Sequence, residues 1–149
     1  MAQRHSEYAR IPGDLYITPG WVYDALYTVE PWAKLAFDCA PVSPTFDFLD
    51  PEFEPPTDWL ATNPPFRKAE AFCRRAIDLS DKVAMLLPHA FDAAKGRIDL
   101  WKWPFKCKYT LTQRIRWVNL KQKNSGPSNN HAWFVWDKDY SGPPIMGWL

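Results

Sequence analysis

The apolar positions along the chain change period several times, and each change predicts an element. Val22, Leu26 and Val29 recur at helical spacing behind Thr18-Pro19. There Thr18 is the expected N-cap and Pro19 the first helical residue, a position where proline's missing N–H costs nothing. Leu35-Ala36-Phe37 is a short apolar run closed by Asp38 and predicts a buried strand; residues 45–49 predict a second, brief one. Pro51, Pro55 and Pro56 enforce a loop. Residues 58–62 predict a third strand, ending at Asn63. Over residues 67–80, Ala69, Phe72, Cys73, Ala76 and Leu79 share one helical face, while Arg67, Lys68, Arg74, Arg75 and Asp78 take the others. Residues 83–87 form a continuous apolar run before Pro88, the pattern of a strand buried on both faces. Residues 92–101 predict a further helix. Residues 109–118 and 131–137 alternate as strands, separated by a polar loop at 119–130 rich in Lys, Asn, Ser, Gly and Pro.

Strands alternating with helices predict a mainly parallel α/β sheet, and the last two strands predict an antiparallel C-terminal edge. In such sheets ligands bind at the carboxyl ends of the strands. Asp38, Asn63 and Pro88 all close predicted strands, so three separate loops point to one rim.

Length and composition narrow this picture. A chain of 149 residues is expected to form one domain over 1–149, and 46% hydrophobic residues argue against disorder. The 24 aromatic residues (nine Trp, nine Phe, six Tyr) suit a core and a base-stacking platform equally. A net charge of +1 hides a strong asymmetry. Five acids and no basic residue lie between Cys39 and Asp58, whereas nine Lys or Arg and one acid, Asp99, lie between Lys95 and Lys123. Such a segment suits a polyanion. Cys39, Cys73 and Cys107 are far apart and show no zinc spacing, so reduced buried thiols are expected, with no metal. The polar start of the chain does not read as a signal peptide, and no apolar run approaches a membrane span. A cytoplasmic location and no membrane partner are therefore expected.

Asn63-Pro64-Pro65-Phe66 is the most informative segment. Two prolines cannot continue a sheet ladder, so the chain stays stiff and extended where the strand opens into its loop. Asn63 offers an amide oxygen, Pro64 a backbone carbonyl and Phe66 a flat apolar face. Two acceptors and a ring suit a planar heterocycle with an exocyclic amino group. A plain turn with Phe66 in the core is the competing reading.

In the order of these segments the chain resembles the S-adenosylmethionine-dependent adenine-N6 DNA methyltransferases, most closely the short phage-type enzymes. The residues that carry the resemblance are Tyr16-Ile17-Thr18-Pro19, Phe37-Asp38-Cys39-Ala40, Asp47-Phe48-Leu49, the strand ending in Asn63-Pro64-Pro65-Phe66, and Leu86-Leu87-Pro88. They cover roughly residues 16–90. The chain departs from the family after Asp38, where Cys39-Ala40-Pro41 contains no glycine, and only 24 residues separate Asp38 from Asn63.

The resemblance implies a compact Rossmann-like methyltransferase sheet and direct methyl transfer from S-adenosylmethionine to the N6 amino group of a flipped adenine in DNA. It implies that Asn63 and Pro64 accept hydrogen bonds from the two amino protons, that Pro65 stiffens the segment and that Phe66 stacks on the base. It assigns Thr18, Pro19, Asp38, Cys39, Ala40, Asp47 and Phe48 to the cofactor. A helix cap at Thr18, a capped loop at Asp38 and simple core packing at Phe48 are the competing readings. Arg67, Lys95, Arg97, Lys102, Lys106, Lys108, Arg114 and Arg116 are the expected phosphate contacts, with ordinary solvated charge as the alternative. Trp101, Trp103 and Trp117 suit core packing more than base stacking, and His89 and His131 are expected to be structural. Two other functions stay open: the same chemistry on RNA adenine or a glutamine amide, and a nucleic-acid-binding protein that has lost the cofactor.

Overall fold

The structure, a computed structural model, describes residues 16–41, 45–119 and 129–149. In chain order these hold β1 (Tyr16–Ile17), α1 (Gly20–Val29), β2 (Trp59–Thr62), α2 (Ala69–Leu79), β3 (Lys82–Pro88), β4 (Phe105–Thr110), β5 (Val118–Asn119), β6 (His131–Asp137) and β7 (Ile145–Trp148). Short 3-10 turns occupy Pro31–Leu35, Phe66–Lys68, His89–Ala93 and Lys95–Trp101.

The main sheet has five strands in the order β2-β3-β6-β4-β7. β2 and β3 are parallel, β6 is antiparallel to both β3 and β4, and β7 is parallel to β4. Four strands thus point one way and β6 runs against them. The expected antiparallel edge is inside the sheet instead, because β7 adds a further strand outside β4. Residues 145–148 gave no strand signal because Ile145-Met146-Gly147-Trp148 lacks apolar–polar alternation; Ile145, Met146 and Trp148 are exposed at this edge. β1 and β5 form a separate antiparallel ribbon.

The sheet has a core on each face. α2 sends Ala69, Phe72, Cys73, Ala76 and Ile77 onto the face that carries Val83, Met85 and Leu87. α1 sends Val22 and Leu26 onto the face that carries Ala84 and Leu86. This explains the unbroken apolar run at 83–87: successive side chains enter opposite cores. The architecture is α/β with helices on both faces of a mixed sheet. Buried indoles pin each side. Trp133 Nε1 donates to the Val22 carbonyl (3.0 Å) and Trp136 Nε1 to the Leu100 carbonyl (2.8 Å).

Several expected elements take other forms. α1 begins after Pro19, and the Thr18 side chain does not cap it. Only Phe37 of the expected first strand pairs, in an isolated parallel bridge to Leu60 at the free edge of β2. Residues 45–49 form turns, because the Asp47 carboxylate takes the Leu49 N–H (3.0 Å) and so competes with any ladder. Residues 89–101 fold as two 3-10 turns rather than one helix; only Phe91 and Leu100 are buried there, too far apart for an apolar face. The strand expected at 109–118 starts earlier, at Phe105, and the chain leaves the sheet after Thr110 to reach β5. Most of the expected polar loop, and the first residues of the chain, lie outside the described residues. Among the described residues, no helix is long and apolar enough to cross a membrane.

Candidate functional site

β2 ends where Pro64 and Pro65 remove two consecutive N–H donors. The chain stays extended at Pro65 (φ −55°, ψ 130°), and the Pro65 carbonyl then accepts from the Lys68 amide (2.9 Å) to open the turn into α2. Asn63 is thus held half-buried at the strand end, with Pro64 buried behind it and Phe66 52% exposed.

Three chain segments meet here. The Asn63 amide Nδ2 donates to Thr18 Oγ1 at 3.1 Å, across 45 residues. One position earlier, the buried Thr62 hydroxyl donates to Asp38 Oδ1 at 2.5 Å. The same carboxylate oxygen accepts the Ala40 amide at 3.0 Å. The tight turn after Asp38 is therefore closed by a side chain rather than by glycine, which accounts for a glycine-free Cys39-Ala40-Pro41. These bonds fix orientations. Thr18 occupies the donor side of the Asn63 amide and leaves its oxygen as the acceptor face. Thr62 and Ala40 occupy Oδ1 of Asp38, and the side chain remains exposed to solvent.

Tyr23, on the first turn of α1, completes the group. Burial pushes its phenol well above the ordinary value, and the Asp38 carboxylate adds to this, opposed by the Thr18 hydroxyl. Tyr27 is raised too, by burial first and then by the carboxylates of Asp24 and Asp38. Both phenols therefore stay protonated at neutral pH. Cys39 is buried, and desolvation with Asp38 nearby pushes its thiol up, so it is an inert core group. Cys73 and Cys107 are also buried and unpaired.

The Asp47 turn packs beside the rim. Phe46 lies 5.3 Å from Phe37, the residue before Asp38. Phe48 is 2% exposed and packs on Phe72 at 5.1 Å, so its ring faces the core and not solvent. The Asp47 carboxylate is exposed, with Oδ1 engaged by Leu49.

On the other side the β1–β5 ribbon sets Ile17 opposite Val118. This carries the preceding residues, Arg114, Arg116 and Trp117, toward Thr18. Trp117 packs edge-on against His131 at 5.3 Å. Burial pulls the His131 imidazole below its usual pKa, although the Asn129 carbonyl (2.7 Å from Nδ1) opposes this, so the ring is neutral at neutral pH. His89, at the end of β3, donates its amide to the Asn130 carbonyl (2.9 Å).

The expected phosphate contacts separate into two groups. Arg67, Lys95, Lys102, Arg114 and Arg116 are exposed, Arg114 with its Nε on Asn130 Oδ1 at 3.0 Å. Arg97, Lys106 and Lys108 are turned inward. Arg97 lies 3.9 Å over the Phe91 ring and donates to the Phe91 carbonyl (3.0 Å). Lys106 pairs with the buried Glu30 at 2.7 Å, which also accepts from Trp32 Nε1 (2.6 Å) and the Tyr109 hydroxyl (2.9 Å). Lys108 is 8% exposed and pairs with Asp92 at 3.0 Å. A register shift between Phe105 and Cys107 lets the two lysines of β4 find different partners. Trp101 and Trp103 pack against the core on the α2 side.

Sequence reasoning missed Thr62 and Tyr23. A hydroxyl inside an otherwise apolar strand, one residue before Asn63, was the available signal for Thr62. Tyr23 carried none, because an aromatic residue on a helix is usually core.

No family model matches the chain, and no curated protein does. Among the described residues, no group of three or more His, Cys, Asp or Glu side chains could hold a metal ion.

Proposed function

We propose that the chain is a methyltransferase with a Rossmann-like sheet that uses S-adenosylmethionine to methylate the N6 amino group of adenine in DNA. The observation that carries this reading is the convergence of Thr18, Asp38, Thr62 and Asn63 through two side-chain hydrogen bonds. Residues that the family resemblance assigns to cofactor and acceptor are neighbours, although they come from three separate segments.

The acceptor set suits the cofactor. Asp38 and Asp47 are exposed carboxylates, each with Oδ1 held by its own turn, and a nucleoside with hydroxyl and amino donors needs such acceptors. When bound, S-adenosylmethionine supplies an electrophilic methyl group on sulfur. The protein's task is then to improve a poor nucleophile, since the adenine amino lone pair is delocalised into its ring. Asn63 Oδ1 and the Pro64 carbonyl accept hydrogen bonds from the two amino N–H groups and stabilise the positive charge that grows on nitrogen. Phe66, exposed at the start of the turn into α2, offers a ring for the extruded base. Arg67, Arg114 and Arg116 are placed to meet phosphates.

The test is calorimetric binding of S-adenosylmethionine, followed by transfer of a labelled methyl group to unmethylated DNA with the product base identified. Cofactor binding with transfer to adenine supports the reading; no cofactor binding removes it. One observation favours a second reading. The loop after Asp38 has no glycine to bring the backbone close to a ligand, which suits a nucleic-acid-binding protein without cofactor. DNA binding with no affinity for the cofactor would select it.

A further inference from the structure

Pro51, Pro55 and Pro56 deprive the stretch after Phe48 of three backbone donors. Carbonyls there cannot all be satisfied within the loop, and each needs a partner. The loop makes what bonds it can. Asp50 N–H reaches the Asp47 carbonyl (3.1 Å), Phe53 N–H reaches the Asp50 carbonyl (3.0 Å), and Glu52 N–H reaches Asp50 Oδ1 (2.9 Å). Arg75, from the middle of α2, supplies further donors. Its Nε donates to the Phe48 carbonyl at 2.6 Å. Its Nη2 donates to the carbonyls of Asp50 (2.7 Å) and Phe53 (2.9 Å), with Pro51 at 3.4 Å. The guanidinium carbon also lies 5.9 Å from the centre of the Phe48 ring.

An arginine that gathers several carbonyls of one turn is a clamp, not a surface ion pair. Its planar fork offers five donors in fixed directions, which lysine cannot imitate. The clamp grips the residue immediately after Asp47. Phe48 is buried on one side of the turn and Phe46 stacks on Phe53 at 4.7 Å on the other, so Asp47 sits between two anchored neighbours with its carboxylate outside.

We propose that Arg75 is a positioning residue for nucleoside recognition. By holding the carbonyls of Phe48, Asp50 and Phe53 it fixes the Asp47 carboxylate to accept from the exocyclic amino group of an adenine nucleoside. This rests on the cofactor reading given above and adds to it the residue that pre-organises the specificity contact.

The experiment compares binding of S-adenosylhomocysteine and its 6-oxo analogue S-inosylhomocysteine, by calorimetry, in four proteins: wild type, Arg75→Lys, Asp47→Asn and the double variant. Wild type should prefer the adenosyl ligand. Arg75→Lys should lose about tenfold in affinity for it, the worth of roughly one hydrogen bond, and little for the inosyl ligand. In the Asp47→Asn background the same change should have almost no effect, because the two residues act through one contact. Unfolding midpoints are measured alongside. A variant with a lower midpoint but an unchanged preference for adenosyl over inosyl would overturn the proposal and leave Arg75 a purely structural clamp. Should Arg75→Lys fail to fold, Arg75→Met is tested against the same ratio. If that variant is unfolded as well, Asp47→Asn decides, since an undiminished preference in that protein would also overturn the proposal. A wild type that binds neither ligand removes the cofactor reading, and this inference with it.

Discussion

The rim around Asn63 and the basic stretch from Lys95 to Arg116 are built in opposite ways. Members of the rim are scattered in sequence and close in space: Thr18 meets Asn63 across 45 residues and Asp38 meets Thr62 across 24. The basic stretch is dense in sequence and dispersed in space. Arg97 lies on Phe91, Lys106 on Glu30 and Lys108 on Asp92. Linear charge density is therefore a poor guide to surface field. A lysine on a central strand is forced toward one core or the other, and once desolvated it must find a carboxylate. The exposed Arg114 and Arg116 lie just before β5, and its pairing with β1 rather than their neighbours in sequence decides where they stand.

Four experiments would break or sharpen this contrast. Asn63→Ala has the largest expected effect. Loss of one acceptor for the developing charge should slow methyl transfer by a hundredfold or more, on the order of 3 kcal/mol, with cofactor affinity and unfolding midpoint near wild type. Wild-type turnover in that variant would remove Asn63 from the chemistry. Lys106→Met comes next. It strands the buried Glu30 charge, so the chain should lose about 3 kcal/mol of stability in urea unfolding, while the salt dependence of DNA binding stays the same. A shallower salt slope with unchanged stability would place Lys106 among the phosphate contacts after all.

Phe66→Ala should weaken oligonucleotide binding by about 1–3 kcal/mol, whereas Phe66→Tyr should retain most of the affinity, since any flat ring can stack. Equal behaviour of the two variants in a fluorescence titration would end the stacking role. The smallest effect is expected for Arg114→Gln combined with Arg116→Gln. Two lost phosphate contacts should make the log–log salt slope shallower by roughly two and lower affinity for all sequences alike. An unchanged slope would leave both arginines as ordinary solvated charges.

Much of the fold was legible because it rests on local pattern. The run at 83–87 became β3, the alternation at 131–137 became β6 to the residue, and the amphipathic stretch after Phe66 became α2. Elements set by weak or competing local signals were not. Residues 45–49 turned because Asp47 captures its own backbone, and β7 hid because Ile145-Met146-Gly147-Trp148 does not alternate.

For the site, sequence by itself determined the rigid end of β2. Two prolines cannot donate, so Asn63 had to stand where a strand stops. It also marked Asp38 for the same rim, although only an isolated bridge at Phe37 forms there and not the expected strand. Tertiary structure decided everything that depends on contacts between distant segments. It turned Thr18 from a helix cap into the partner of Asn63, used Thr62 to anchor Asp38, and closed a glycine-free turn with a carboxylate. It also withdrew Lys106 and Lys108 from the surface. The physical reason is the range of the forces. Backbone sterics and missing N–H groups act within a few residues, whereas a side-chain hydrogen bond or a buried ion pair has no address in the sequence until the sheet has brought its two ends together.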